Sequence, residues 1–351
     1  MKIYLGDLYI SPKVFFKHAP GFIWQELSAD GGKMKSDRFL IKAAELYYRD
    51  GLSQEKIAKK LHTSRAGISR ALIQARKEGY VQIRIQYPDQ SDLKLEKQLE
   101  EAYGLTEVLI AVPACDQSVD QAVSLQAVDY ILRVLKRNMI FGMTWGRAMA
   151  QFVTQLEKDE RLRSLSFQNV KIVPFLGTPG LISGDYEYAT TYSNTLATRL
   201  GNALGCVSYN LSAPIAVNGE KEKEMVESID DISKVLRMAE QADVALVGIG
   251  SMGDQSSILK DGIRTEEEYQ QLRNRGAVGE AVGRIYDAEG NPIDEWLQRK
   301  MIGISLESMK KIPIRVGVAH GKEKTDALKG ALNGKLINVL VTDVETARML
   351  I

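Results

Sequence analysis

GLSQEKIAKKLHTSRAGISRALIQARKEGYVQIRI, residues 51–85, is the stretch on which the reading of this chain turns. Ser53 stands where a helix N-cap belongs, and Glu55 follows in the first turn, near the positive end of the helix dipole. Ile57, Ala58 and Leu61 then recur at helical spacing. His62-Thr63 is a short turn, and Ser64 caps a second helix over 65–78, with Ile68, Leu72 and Ala75 inward and Gly79 as its stop. Two short helices joined by a tight turn define a helix-turn-helix. Upstream, Phe39, Leu40, Ala43, Ala44, Tyr47 and Tyr48 repeat the helical period, and Gly51 supplies a left-handed cap. Downstream the period falls to two: Val81, Ile83, Ile85 and Tyr87 alternate with Gln82, Arg84 and Gln86. That alternation predicts a strand beside the helices, a wing, ended by Pro88-Asp89.

In such a motif the second helix lies in the major groove and its first turns face the bases. Those turns offer Ser64, Arg65, Ala66, Ser69 and Arg70. Arginine can fork onto a guanine edge, while Lys56, Lys59, Lys60, Arg76 and Lys77 are placed to hold phosphate. The charge distribution agrees. Residues 34–90 carry 12 Lys+Arg against 6 Asp+Glu, and residues 91–351 carry 30 against 36, so a basic head precedes a mildly acidic body. The plainer alternative is a three-helix packing unit with a solvated basic face.

Several function classes are excluded or disfavoured. Two cysteines, Cys115 and Cys206, cannot build a disulfide framework, and His18, His62 and His320 form no metal-ligand spacing. No run approaches the roughly 20 apolar residues of a membrane span. A cytoplasmic protein without metal or cofactor is expected. Residues 1–33 lack the pattern of a signal peptide. The regular pattern starts at Met34, so residues 1–33 are read either as a translated leader ahead of the true start or as an arm packed on the body. The expected division is a DNA-reading unit over 34–90, a linker helix over 91–104 capped by Ser91, and an effector domain over 105–351. The linker helix, with Leu95, Leu99 and Ala102 on one face, is a packed connector or a pairing element between subunits.

Beyond Gly104, apolar runs at 108–112, 139–141, 170–175, 207–211, 244–249, 315–319 and 339–342 read as strands. Helix-like stretches at 120–136, 193–204, 229–242, 266–274 and 323–332 lie between them. Strand–helix alternation predicts a parallel sheet covered on both faces, with ligands at the carboxyl ends of its strands. Gly248-Ile249-Gly250-Ser251-Met252-Gly253 matches GxGxxG, but it comes late in the chain, Asp254 follows directly, and no amphipathic helix opens there. A dinucleotide site is therefore discounted.

Taken with the stretch quoted first, FGMTWGRAM, VKIVPFLG, ADVALVGIGSMGD, GAVGEAVGRIYDAEGNPI, IRVGVAHGKEKTDALKGAL and INVLVTD occur in the order found in one family. The chain resembles the SorC family of sugar-binding transcriptional regulators, the SorC/DeoR-type, over roughly residues 35–351. The resemblance implies an α/β protein: a small winged helix-turn-helix domain followed by a Rossmann-like parallel-sheet effector domain resembling phosphosugar isomerases. It implies a tetramer that binds operator DNA under the control of a phosphorylated sugar effector, and no catalysis.

The effector-binding residues follow from loop chemistry and from the resemblance together. Gly142 to Arg147 follows a strand and opens a helix, where backbone N–H groups attract phosphate. The family's phosphate loop falls here, marking Thr144, Gly146 and Arg147; a tight structural turn is the alternative. Gly177 and Thr178 resemble the family's second ligand loop. Asp254 is the hydroxyl acceptor the resemblance implies, Glu280 is either a sugar contact or a paired buried carboxylate, and Lys324 is an anion partner. Tyr192 is a sugar-facing or a core residue. A sugar-phosphate isomerase or deaminase would share this body and could use Glu280 or Asp254 as its base, but a DNA reader is not expected on such an enzyme.

Overall fold

A computed structural model of the chain describes residues 31–83, 92–179 and 189–351, and the side chains from residue 37 onward within them. The polypeptide forms two compact units that divide between Gln86 and Tyr87.

Among its described residues the first unit has three helices: α1 (Gly31–Ala44), which runs on as a five-residue π turn (Glu45–Arg49), α2 (Gln54–Lys60) and α3 (Arg65–Lys77). The caps behave as their chemistry dictates. Ser53 accepts a hydrogen bond from the Lys56 N–H and Ser64 accepts one from the Gly67 N–H at 3.0 Å. Gly51 and Gly79 sit at φ +66° and +78°, which ends α1 and α3 without strain. His62 also takes positive φ, closing the turn between α2 and α3 in two residues. Leu40, Ala43, Leu46, Ile57, Ile68, Leu72 and Ala75 make a small apolar core. Val81–Ile83 are not assigned to a strand; the rest of the predicted wing, residues 84–87, and the Ser91 cap lie outside the described residues.

The second unit opens with α4 (Leu93–Tyr103) and β1 (Glu107–Ala111). Then come α5 (Val119–Val134), β2 (Ile140–Met143), α6 (Arg147–Glu157), β3 (Lys171–Pro174), α7 (Ser193–Leu204) and β4 (Val207–Ser208). After α8 (Glu220–Glu227) and α9 (Asp230–Glu240), β5 (Val244–Gly248) returns to the middle of the sheet. A small excursion follows: β6 (Gly250–Ser251), α10 (Ser257–Lys260), α11 (Glu266–Asn274), β7 (Gly279–Ala281), β8 (Arg284–Tyr286), α12 (Glu295–Lys300) and α13 (Leu306–Lys310). The chain ends with β9 (Ile314–Val318), α14 (Thr325–Asn333), β10 (Val339–Asp343) and α15 (Val344–Leu350).

Among the described residues the main sheet has seven strands in the order β1-β10-β9-β5-β2-β3-β4, every pair parallel. Its apolar residues divide between two faces. Val108, Ala245, Val247 and Leu340 belong to one core, and Phe141, Met143, Val316 and Val341 to the other. Burial on both sides is why these strands read as continuous apolar runs rather than alternating ones. The outer edge of β1 is covered from α4: Glu96 accepts the Ile110 N–H at 2.8 Å and Glu100 accepts the Val108 N–H at 3.0 Å. The second sheet, β6-β7-β8, is antiparallel.

The winding locates the site. From β2 the chain proceeds outward to β3 and β4; from β5 it proceeds the other way, to β9 and β10. The loops leaving β2 and β5 therefore diverge over neighbouring strands and open a crevice at their carboxyl ends.

Candidate functional site: a polar cleft at the strand switch point

A cleft of about 620 Å³ occupies that crevice. Its walls are the loop after β2 (Trp145, Gly146, Arg147), the loop after β5 (Gly248 to Ser257), Glu280 on β7, and Lys324 ahead of α14. Gly146 takes φ +105° and its N–H donates to the Thr191 carbonyl, which turns the chain from β2 directly into α6. The first free amides of α6 consequently face the cleft, flanked by Arg147. Arg147 and Lys324 have no ion-pair partner among the described residues. Two cations and a helix N-terminus thus share one wall, an arrangement suited to an anion. A second cleft of about 660 Å³ lies on the far side of Arg147 and Lys324 and adds Arg199, His320 and Asp120. All three are engaged: Arg199 pairs with Glu157 at 2.7 Å, and His320 meets Asp120 at 2.9 Å.

Glu280 is 6% exposed and accepts a hydrogen bond from Ser256 Oγ at 3.2 Å. Burial pushes its carboxyl up to about 7, against the opposing pull of donors on Ser256 and Trp145 and of the Lys324 charge. Burial, with Arg147 nearby, also holds the Lys324 ammonium below the usual lysine range. A buried carboxyl raised in this way can both donate and accept toward hydroxyl groups, while the Lys324 ammonium donates. Asp254 is open to solvent on the cleft rim and meets Arg273 Nη2 at 3.6 Å. Arg273 also donates to the Met252 carbonyl at 2.6 Å, so α11 braces the loop that carries Asp254.

Gly146, Arg147, Asp254, Glu280 and Lys324, expected from the sequence, line this one cleft. Thr144 stands behind it. Its side chain is 1% exposed, and Oγ1 accepts the Gly248 N–H at 3.2 Å, tying the two loops together at their roots. Gly177 and Thr178 are not among the lining residues. A Cβ on Gly177 would meet the Pro214 carbonyl oxygen at 2.4 Å, and Thr178 Oγ1 accepts from Asn194 Nδ2 at 2.7 Å, so both pack in a seam with the 213–215 segment. Tyr192 is buried and donates to Asp261 at 3.2 Å. Ser256, Trp145 and Arg273 were not singled out from sequence. Trp145 lies inside the Gly142–Arg147 loop already nominated, whereas Ser256 and Arg273 come from segments with no local motif and reach the cleft because β6 and α11 fold back over β5.

The GxGxxG glycines have local reasons. A Cβ on Gly250 would sit 2.6 Å from Glu280 Cγ, its register partner across β6 and β7. The segment enters a strand rather than a helix, so the dinucleotide geometry is missing.

On the first unit, Ser64, Arg65, Ala66 and Arg70 are exposed at the start of α3 and Ser69 is half-buried. Ser64 is already engaged as the cap, and Arg65 reaches Glu55 at 3.6 Å. Arg70, Lys56, Lys59, Lys60 and Lys77 have no ion pair among the described residues.

A helix-turn-helix and a polar cleft at a switch point, carried on separate units of one chain, define a transcriptional regulator with its own ligand sensor. Comparisons place it further. Residues 88–351 match the family described as "Putative sugar-binding domain". The chain is 32% identical over 313 residues to the deoxyribonucleoside regulator of Bacillus subtilis, covering 89% of this chain and 96% of that one. It is 32% identical over 318 residues to the sorbitol operon regulator of Klebsiella pneumoniae, covering 90% and 98%. The crystal structure of the full-length sorbitol operon regulator SorC from Klebsiella pneumoniae superposes with a TM-score of 0.67 at 30% identity, over 90% of this chain and 99% of that one. The chain belongs to this family of SorC-type regulators and is a sugar-responsive transcriptional regulator. None of its helices among the described residues is long and apolar enough to cross a membrane.

Proposed function

We propose that the chain regulates genes of carbohydrate metabolism by binding operator DNA through α3, and that a phosphorylated sugar in the switch-point cleft controls that binding. The observation that carries the reading is the wall formed by the α6 N-terminus, Arg147 and Lys324, two cations with no carboxylate partner among the described residues. A phosphate seated there meets free amides and both cations. Glu280 and Asp254 then face the sugar hydroxyls. Asp254, on the rim, is the replaceable contact; Glu280, buried against Ser256, is the discriminating one.

The effector acts by linkage: it shifts operator occupancy only through unequal affinity for two arrangements of the protein. The unit over 34–90 reads DNA, residues 105–351 sense the effector, and the assembled form is a tetramer in the cytoplasm. The relatives' names are those of regulators, and the protein acts without turnover. The test is a thermal-shift screen of the full chain against phosphorylated and free sugars. A sugar phosphate that raises the melting temperature, with its free sugar inactive, is the expected outcome. Equal shifts by both would remove phosphate from the reading, and isomerisation of any sugar phosphate during the screen would overturn the regulator-only role.

A further inference from the structure

We infer that Ile73 is a specificity-determining residue of the helix-turn-helix, reading the 5-methyl group of a thymine in the major groove. The inference rests on the DNA-binding role of α3 and adds a base contact that its polar residues do not supply.

Ile73 lies past the middle of α3, yet it is 61% exposed. The helix buries Ile68, Ala71, Leu72 and Ala75 against the rest of the unit, so its apolar demand is already met on the opposite face. Helical spacing puts Ile73 in line with Ala66, Ser69, Arg70 and Lys77. Arg70 and Lys77 flank it on this stripe, and neither has an ion pair among the described residues. Arg76, one step round the helix, is turned away from the stripe: its Nε donates to Tyr48 Oη at 2.7 Å.

An apolar side chain between two free cations needs a partner that is anionic and also carries apolar points. A DNA duplex offers phosphates for the cations and, in the major groove, one apolar group among the base edges, the thymine methyl. A purely acidic protein surface would leave Ile73 unsatisfied. Three helical residues advance about 4.5 Å along the axis and a base pair about 3.4 Å. The thymine read by Ile73 therefore lies one to two base pairs from the base read by Arg70.

The test uses the full-length protein and a duplex selected by it from a random pool. Each thymine of the selected site is replaced singly by uracil, which removes the methyl group and nothing else. Wild-type binding is expected to weaken about fourfold at one thymine of the half-site, the worth of one buried methyl-sized group. Ile73→Ala should bind the thymine duplex about as weakly as wild type binds the uracil duplex, and should lose nothing more on uracil. Ile73→Val should keep most of the discrimination. The melting temperature of Ile73→Ala should be unchanged or higher, since the residue is exposed and alanine favours helix. The inference is overturned if no uracil replacement weakens wild type, or if the losses from Ile73→Ala and from uracil multiply. A pool that yields no preferred duplex would instead overturn the DNA-binding role of α3 itself, and this inference with it.

Discussion

Glu280 holds a carboxyl in a nearly dry corner of the sensor, and its proton is therefore tied to folding. The sign follows from the direction of the shift. A carboxyl raised from its ordinary range to about 7 favours the native state when protonated, and that contribution fades as pH rises through 7. Asp261, raised by burial to about 6, acts in the same sense over a lower window. Glu280→Gln should thus melt higher than wild type at pH 8 by up to about 3 kcal/mol and match it near pH 4.5; a constant difference across that range would break the link. Lys324 carries the complementary prediction. Lys324→Ala should weaken binding of sugar phosphates about tenfold to a hundredfold, as titration calorimetry would read, and leave operator affinity without effector unchanged. Of these side chains, sequence could nominate Glu280 because a charge stands out in Gly-Glu-Ala-Val-Gly. It could not find Ser256 or Arg273, whose roles depend on β6 and α11 being folded back over β5.

At the scale of elements, caps and apolar runs were readable and short strands were not. Ser53 and Ser64 announced their helices by residue type, and both make the predicted bonds. Ser64→Ala should cost the first unit about 1 kcal/mol, seen as a lower denaturant midpoint for that unit with α3 still helical by circular dichroism. The inner strands β5, β9 and β10 were visible because burial on both faces demands continuous apolar residues. β6, β7 and β8 are two or three residues each, too short for any period, and Gly250 looked like part of a nucleotide loop rather than a space left for Glu280. The π turn at Glu45–Arg49 also has no residue signature. Thr178 was nominated because its loop resembles the family's second ligand loop, but its amide and hydroxyl are engaged by Ala213 and Asn194.

For the whole molecule, the division between reader and sensor makes regulation a matter of reciprocal affinity. If a sugar phosphate changes operator affinity by some factor, operator DNA must change sugar-phosphate affinity by the same factor. Parallel titrations of each ligand with the other saturating should return equal ratios; unequal ratios would show that more than one effector site is in play. The carboxylates of Glu96 and Glu100 bear on how copies of the chain can meet. By occupying the amides of Ile110 and Val108 they leave β1 unable to recruit a strand from a neighbour, so the sheet cannot grow from molecule to molecule across that flank.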